Sequence, residues 1–146
     1  MGLFEKILVP VDGSRHSLNA VCLAARLSQI HGSELRIFHV IDETILDQLV
    51  RFSDKERETV RDELKNSAHA FLSDMRCEAQ LGVVTASEII IREGIPHEVI
   101  LHEAASWGAD LIVIGKLGRR GIAHILLGSV AERVIEFSDV PVLTVK

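Results

Sequence analysis

Short and mostly apolar runs recur along the chain and are separated by stretches of mixed polarity. KILVPV (6–11), LRIFHVI (35–41) and DLIVIG (110–115) are apolar almost throughout. Such runs are typical of strands buried on both faces of a parallel sheet. SEIIIREG (87–94) and PVLTVK (141–146) predict two further strands. The pattern therefore predicts five strands.

The segments between the first strands show helical spacing. Apolar residues at i, i+3, i+4 and i+7 from Leu18 form one face of a first helix. We expect Ser14 to cap the start of this helix and Gly32 to end it. Residues 42–53 are expected to be irregular or weakly helical. A longer helix is predicted from Asp54 to about Met75, with its charges outward and with an inward face of Val60, Leu64, Phe71, Leu72 and Met75.

Two more helices complete the alternation. Pro96 suits a first helical position, and the helix that it begins is expected to end at Trp107-Gly108. A last helix is predicted over 129–137. Strands that alternate with helices form a parallel sheet with right-handed crossovers and helices on both faces. The chain is therefore predicted to be α/β, one doubly wound domain over residues 1–146.

Composition removes several classes of function. The formal net charge is -5, which disfavours broad attraction to nucleic acid or to an anionic membrane. No apolar run approaches the about 18 residues that a membrane span requires. Cys22 and Cys77 lie far apart and form no C-x-x-C pair, as expected for a reduced, cytoplasmic chain.

Two strand ends carry unusual chemistry. PVDGS (10–14) follows the first strand, and GKLGRRG (115–121) follows the fourth. In a doubly wound sheet, ligands bind beyond the carboxyl ends of the strands, where the winding reverses. If the first and fourth strands are neighbours, both segments face one crevice.

The segment after the fourth strand has the chemistry of a phosphate site. Glycines at 115, 118 and 128 allow close backbone approach, and no Asp or Glu occurs over 111–131. Ser129 with Glu132 fits a capping box, which places a helix N-terminus, a natural anion site, at this point. Lys116 is followed by Leu117, so the segment is not a Walker A loop, and it follows the wrong strand for a dinucleotide fingerprint. The alternative is that the glycines merely shape a loop whose arginines are solvated.

Other candidate residues favour structural roles. His97 and His102 are five residues apart, a poorer spacing for shared metal ligation than i, i+4, and we predict no metal site. His39 lies in an apolar strand and is interpreted as a core residue with satisfied hydrogen bonds. Asp12 is the one acid assigned to the crevice, so no catalytic residue is predicted. Asp12 itself either contacts the ligand or only stabilises the turn.

The glycine pattern resembles the nucleotide motif G-x2-G-x9-G-[ST] of the universal stress protein family, in its ATP-binding branch. Gly115, Gly118 and Gly128-Ser129 match it, and ILVPVDGS (7–14) and WGADLIVIG (107–115) are similar to the family's first and fourth strands. The resemblance covers the whole chain. It implies a Rossmann-like fold of the adenine nucleotide alpha hydrolase type, with a five-stranded sheet in order 3-2-1-4-5.

The resemblance also implies a function and a set of contacts. It implies that ATP binds, with or without Mg, and that a homodimer forms through the last strand at 140–145 to give a regulatory module of the stress response. The alternatives are slow ATP hydrolysis, or a nucleotide-free dimer in which Leu117 narrows the pocket. Carried over by position, the nucleotide contacts are Val11, Asp12, Val40, Ile41, Gly115, Gly118, Gly128 and Ser129. Lys116-Leu117 departs from the family pattern, and the predicted contacts also include the basic Lys116 and Arg119 and the adjacent Pro10 and Val130.

Overall fold

Strands and helices alternate along the computed structural model, which describes residues 2–78, 87–116 and 128–146. The described part of the chain contains five strands and five helices. In chain order they are β1 (Lys6–Pro10), α1 (Arg15–His31), β2 (Glu34–Asp42), α2 (Glu43–Arg51), α3 (Arg57–Glu78), β3 (Ser87–Gly94), α4 (Pro96–Trp107), β4 (Leu111–Gly115), α5 (Ser129–Phe137) and β5 (Val142–Val145).

The five strands form one parallel sheet in the order β3-β2-β1-β4-β5. The predicted fold class and strand order are confirmed. The chain winds from β1 outward to β3, crosses back, and winds outward again through β4 to β5. The carboxyl ends of the neighbouring strands β1 and β4 therefore lie at the point where the winding reverses.

Alternating side chains of the strands divide the core between the two faces of the sheet. Ile7 and Val9 of β1 pack with buried residues of α1 and α3, whereas Leu8 packs with α4 and α5. All three side chains are fully buried. This division explains why β1 is apolar after Lys6, because neither face of the sheet meets solvent there.

The ends of α1 follow the predicted local chemistry. Ser14 is its N-cap, and the Ser14 Oγ accepts a hydrogen bond from the Ser17 N–H at 3.2 Å. Gly32 ends the helix at φ +68°, a left-handed conformation that favours glycine. Both predictions are confirmed.

The connection between β2 and β3 is more helical than the sequence pattern indicates. Residues 43–51 form the regular helix α2, and α3 begins at Arg57 rather than at Asp54. The Asp42 side chain caps α2 by accepting from the Thr44 N–H at 2.9 Å, and Leu46 is fully buried. The cap and the buried leucine anchor this nine-residue helix, whose apolar residues lie along one face.

None of the helices in the described ranges is long and apolar enough to cross a membrane.

Candidate functional site

A cavity of about 430 Å³ lies at the carboxyl ends of β1, β2 and β4. This volume falls within the range of small-molecule sites, about 300–1,000 Å³. The cavity occupies the reversal point at which the sequence predicts the crevice. Its walls are formed by Pro10, Val11, Asp12, Ser17, Phe38, His39, Val40, Ile41, Asp42, Ile45, Leu64, Ser67, Ala68, Phe71, Pro96, Ile100, Ile114, Gly115, Gly128, Ser129, Val130 and Ala131.

The turn after β1 contributes Asp12. The Asp12 Oδ1 accepts from the Ser14 N–H at 2.9 Å, and the Asp12 N–H donates to the Ser17 Oγ at 3.4 Å. These bonds fix the turn that leads into α1 and hold the Asp12 carboxylate at the cavity wall. The sequence left open whether Asp12 serves the ligand or only the turn; the structure shows the turn bonds, and ligand contact stays a prediction.

The end of β2 contributes a mostly apolar wall. Val40 and Ile41 are buried and line the cavity. Beside them, the His39 Nδ1 lies 2.7 Å from the Val11 carbonyl oxygen, and the His39 ring makes an edge contact with Phe71. His39 thus has the satisfied hydrogen bond expected of a core residue, but it also lines the cavity.

The beginning of α5 closes the site on the side of β4. The Gly128 N–H donates to the Lys116 carbonyl at 2.7 Å, and the Lys116 N–H donates to the Val145 carbonyl at 2.6 Å. These bonds fix the first turn of α5 beside the end of β4. The residues of this first turn that line the cavity are Ser129, Val130 and Ala131.

The predicted capping box at this helix is wrong. The N-cap of α5 is Gly128, in an extended conformation at φ -70° and ψ 154°, and Ser129 is already the first helical residue. The Glu132 N–H donates to the Gly128 carbonyl at 2.9 Å, which begins the helix one residue earlier than the box requires. A glycine cap has no side chain that accepts from the first-turn N–H groups, and no such cap bond forms.

Helices α3 and α4 supply walls that sequence reasoning did not assign to the site. Leu64, Ser67 and Phe71 come from α3, and Pro96 and Ile100 come from α4. Leu64 and Phe71 were predicted to face inward, but as core residues. Their amphipathic spacing indicates which side is buried, and nothing in that spacing distinguishes a packed core from the wall of a cavity.

An ion pair joins α3 to the end of β3. The Arg61 Nε donates to the Glu93 Oε2 at 2.8 Å, and the pair lies at the surface, with side-chain exposures of 24% and 29%. The hydrogen bond from Arg61 lowers the pKa of the Glu93 carboxyl below its ordinary value. Because Arg61 lies one turn before Leu64, the pair fixes the start of the α3 wall.

Most of the predicted site residues come together in the cavity. Lys116 is not one of the lining residues, although its backbone joins β5 to α5. Gly118 and Arg119, with the rest of 117–127, lie outside the described residues. The nine predicted residues that line the cavity are Pro10, Val11, Asp12, Val40, Ile41, Gly115, Gly128, Ser129 and Val130.

The described residues were also compared with the side-chain groups that bind metal ions. Within them, no three His, Cys, Asp or Glu side chains come together as a metal-binding group. The two acids that line the cavity, Asp12 and Asp42, each accept from a backbone N–H.

Comparison with known proteins identifies the family. The family model of the universal stress proteins matches residues 3–146. The chain belongs to the universal stress protein family. It is 36% identical to universal stress protein MJ0531 of Methanocaldococcus jannaschii, over 99% of this chain and 83% of that protein.

Solved structures of similar proteins share the fold. The structure of MJ0577, from the same organism, is 32% identical with a TM-score of 0.84, covering 99% of this chain and 96% of that one. A universal stress protein solved in complex with cAMP is 26% identical with a TM-score of 0.72, covering 97% of this chain and 96% of its own.

Proposed function

We propose that this universal stress protein binds an adenine nucleotide, ATP in the first instance, in the cavity at the ends of β1, β2 and β4. The observation that carries the proposal is the composition of that cavity: mainly apolar walls on one side, and the glycine-capped start of α5 on the other. The first suits a base and the second suits phosphates. The complex of a similar protein with cAMP supports the adenine assignment.

The base is proposed to lie against the end of β2. Val11, Val40 and Ile41 supply buried apolar walls, and the backbone N–H and C=O of Val40 are proposed to supply the polar groups at their edge. An adenine ring needs this combination, since its faces are apolar and its edge carries hydrogen-bonding nitrogens. Asp12 lies at the turn after β1, where its carboxylate can accept from a ribose hydroxyl.

The phosphates are proposed to lie against α5. Gly128 leaves the N–H groups of the first turn without a cap side chain, and the helix dipole favours an anion there. By the family motif, Gly118 would contact the phosphates as well, and the positive charge of Arg119 would favour the same contact. Mg²⁺ would enter as the counter-ion of the phosphates, because no set of side chains in the described ranges is arranged to hold a metal by itself.

We propose a regulatory rather than a catalytic role, in the cytoplasm and in the response to stress. Efficient phosphoryl transfer requires a metal clamp and a positioned base or nucleophile. The acids of the described cavity wall, Asp12 and Asp42, hold a turn and a helix start. A bound nucleotide would act by changing the surface that the protein presents to partners.

We further propose that the protein acts as a homodimer joined at the outer edge of β5. Among the described strands, β5 has a neighbour on one side only, which is β4. Leu143 of β5 and Ile135 and Phe137 of the adjacent α5 are exposed, at 38%, 43% and 55%. An unpaired edge beside exposed apolar side chains is a favourable surface for a second copy.

The decisive experiment is to identify what the purified protein binds. The protein is denatured, the released small molecules are separated by chromatography, and ATP is titrated calorimetrically into nucleotide-free protein. We expect ATP to be released or to bind. Accumulation of ADP during incubation would instead favour a hydrolase, and no binding at millimolar ATP would contradict the proposal.

Gly128→Val tests the location of the phosphates. The φ and ψ of Gly128 lie in the extended region that valine also adopts, so the fold is expected to persist. The added side chain fills the start of α5, and we expect ATP affinity to fall more than about tenfold, above 1.4 kcal/mol. Ala105→Val, on the exposed side of α4, is the control. Undiminished ATP affinity in Gly128→Val would remove α5 from the site.

A further inference from the structure

The hydrogen-bond ladder between β1 and β2 ends beside the proposed base site. Its last bond runs from the Val11 N–H to the Phe38 carbonyl, at 2.8 Å. In a parallel ladder the N–H and C=O of one residue point to the same neighbour, and alternate residues point the same way. The N–H and C=O of Val40 therefore face the β1 side, as those of Phe38 do.

The next step of this ladder would join the Val40 N–H to the Val11 carbonyl. No such bond occurs among the backbone bonds of the described residues. The Val11 carbonyl instead lies 2.7 Å from the His39 Nδ1. Because a carbonyl oxygen only accepts, the His39 Nδ1 carries the hydrogen and donates it. The partner of the Val11 carbonyl at the end of the ladder is therefore the His39 side chain and not the Val40 N–H.

The His39 ring is held in place from α3. Its centroid lies 4.9 Å from that of Phe71, and the planes meet at 87°, an edge-to-face arrangement. Both residues are half-buried and line the cavity. The contact fixes the ring orientation, and with it the direction of the bond to Val11.

We propose that His39 is a positioning residue that sets the base selectivity of the site. By holding the Val11 carbonyl, His39 leaves the N–H and C=O of Val40 as an adjacent donor and acceptor facing the cavity. The inference rests on the proposed adenine-nucleotide site. It adds to that site a residue, His39, that acts through the backbone of Val11 and Val40 and does not itself contact the base.

The selectivity follows from the order of donor and acceptor. Adenine presents a ring nitrogen that accepts and an amino group that donates, which complements a backbone N–H and C=O. Guanine presents a ring N–H and a carbonyl oxygen in the same places, so donor would meet donor and acceptor would meet acceptor. A site that leaves such groups unpaired rejects the wrong ligand strongly. A free Val40 edge therefore favours ATP over GTP.

The test compares replacements that keep or remove the donor. His39→Leu removes it, and the Val11 carbonyl becomes available to the Val40 N–H. We expect calorimetry to show ATP affinity about tenfold lower, the range of one hydrogen bond, with a similar fall in the preference for ATP over GTP. His39→Asn places an amide N–H at the position of Nδ1 and should restore both. His69→Leu, exposed on α3, is the control.

A second readout needs no ligand. Amide exchange at Val40, followed by NMR, should be slower in His39→Leu than in the wild type or His39→Asn, because the ladder then extends by one bond. Should His39→Leu fail to fold, His39→Gln replaces it. The glutamine amide reaches past the position of Nδ1, and we expect this variant to lose selectivity as well.

The outcomes separate the two proposals. If the wild type binds ATP and the leucine or glutamine variant prefers ATP over GTP to the same degree, the role of His39 is overturned and the nucleotide site is not. Lower thermal stability without a change in the ATP to GTP ratio overturns it too, since that pattern marks a structural role only. A wild type that binds no nucleotide overturns the proposed function, and Val40 exchange then still decides whether His39 controls the backbone edge.

Discussion

Gly115 is a point of close approach between β4 and α1. A Cβ built on Gly115 would lie 2.8 Å from the backbone carbon of His16 and 2.8 Å from the backbone nitrogen of Ser17. Backbone atoms in the first turn of a helix cannot move aside as the end of a long side chain can. Glycine at 115 therefore lets α1 start against the end of β4, and this contact also places the Asp12 turn.

Gly115→Ala should consequently weaken the fold even without ligand. We expect the free energy of unfolding to fall by about 1–3 kcal/mol in denaturant titrations, the usual cost of overpacking. Gly32→Asn is the control, since nothing lies within 4 Å of a Cβ at Gly32 and asparagine tolerates its left-handed φ. An alanine variant of normal stability that had lost ATP binding would show that Gly115 serves only the ligand.

Single residues also mark where sequence reasoning stops. Asp12 and Gly128 were assigned to the site from motif positions, and both line the cavity. The glycine cap of α5 was missed, because Ser129 and Glu132 satisfy the capping-box pattern equally well. The residue at which a helix starts can be decided by tertiary hydrogen bonds. Here the Gly128 N–H donates to the Lys116 carbonyl, a contact that no local sequence pattern reveals.

At the scale of elements, α3 depends on its connection to β3. The ion pair of Arg61 and Glu93 joins the two, with side-chain exposures of 24% and 29%. By contrast, Lys55 and Glu63 form a pair whose side chains are about half exposed, at 54% and 53%. Water screens the second pair more strongly, so the first is the one expected to hold the α3 wall of the cavity in place.

The Glu93 pair should make stability depend on pH. The hydrogen bond from Arg61 lowers the pKa of Glu93 in the folded state. The resulting stabilisation is fully present above the unfolded pKa, about 4.3, and is lost as the pH falls through the lower folded value. The advantage of the wild type over Glu93→Gln, measured by denaturant unfolding, should therefore shrink between about pH 6 and pH 3.5. A pH-independent difference, or an equal one for Glu63→Gln, would contradict this.

Helices and strands could be predicted where their burial produces a clear apolar pattern in the local sequence. The inner strands are buried on both faces, so β1 and β4 appear as continuous apolar runs. Residues 43–51 were not recognised as a full helix, because α2 is fixed by the single buried Leu46 and the Asp42 cap. The position of the cavity followed from strand order, and its α3 wall did not.

At the scale of the whole molecule, the two edges of the sheet differ in chemistry. Edge strand β3 carries Glu88, Arg92 and Glu93, charges that oppose pairing with another strand. Edge strand β5, of sequence VLTV, carries none. The absence of charge on β5 favours this strand as the edge that pairs with a second copy. The direction in which its backbone N–H and C=O groups point allows a test.

Thr144→Pro should remove the proposed dimer while sparing the monomer. The Ile112 N–H donates to the Pro141 carbonyl and the Lys116 N–H to the Val145 carbonyl, so odd-numbered residues of β5 point their backbone groups at β4. The Thr144 N–H therefore points to the open edge, and proline removes it without breaking the β4 ladder. We expect sedimentation to show a dimer for the wild type and for Thr144→Ser, which keeps the N–H, and a monomer for Thr144→Pro. A proline variant as dimeric as the wild type would place the interface elsewhere, and a monomeric wild type would contradict the dimer itself.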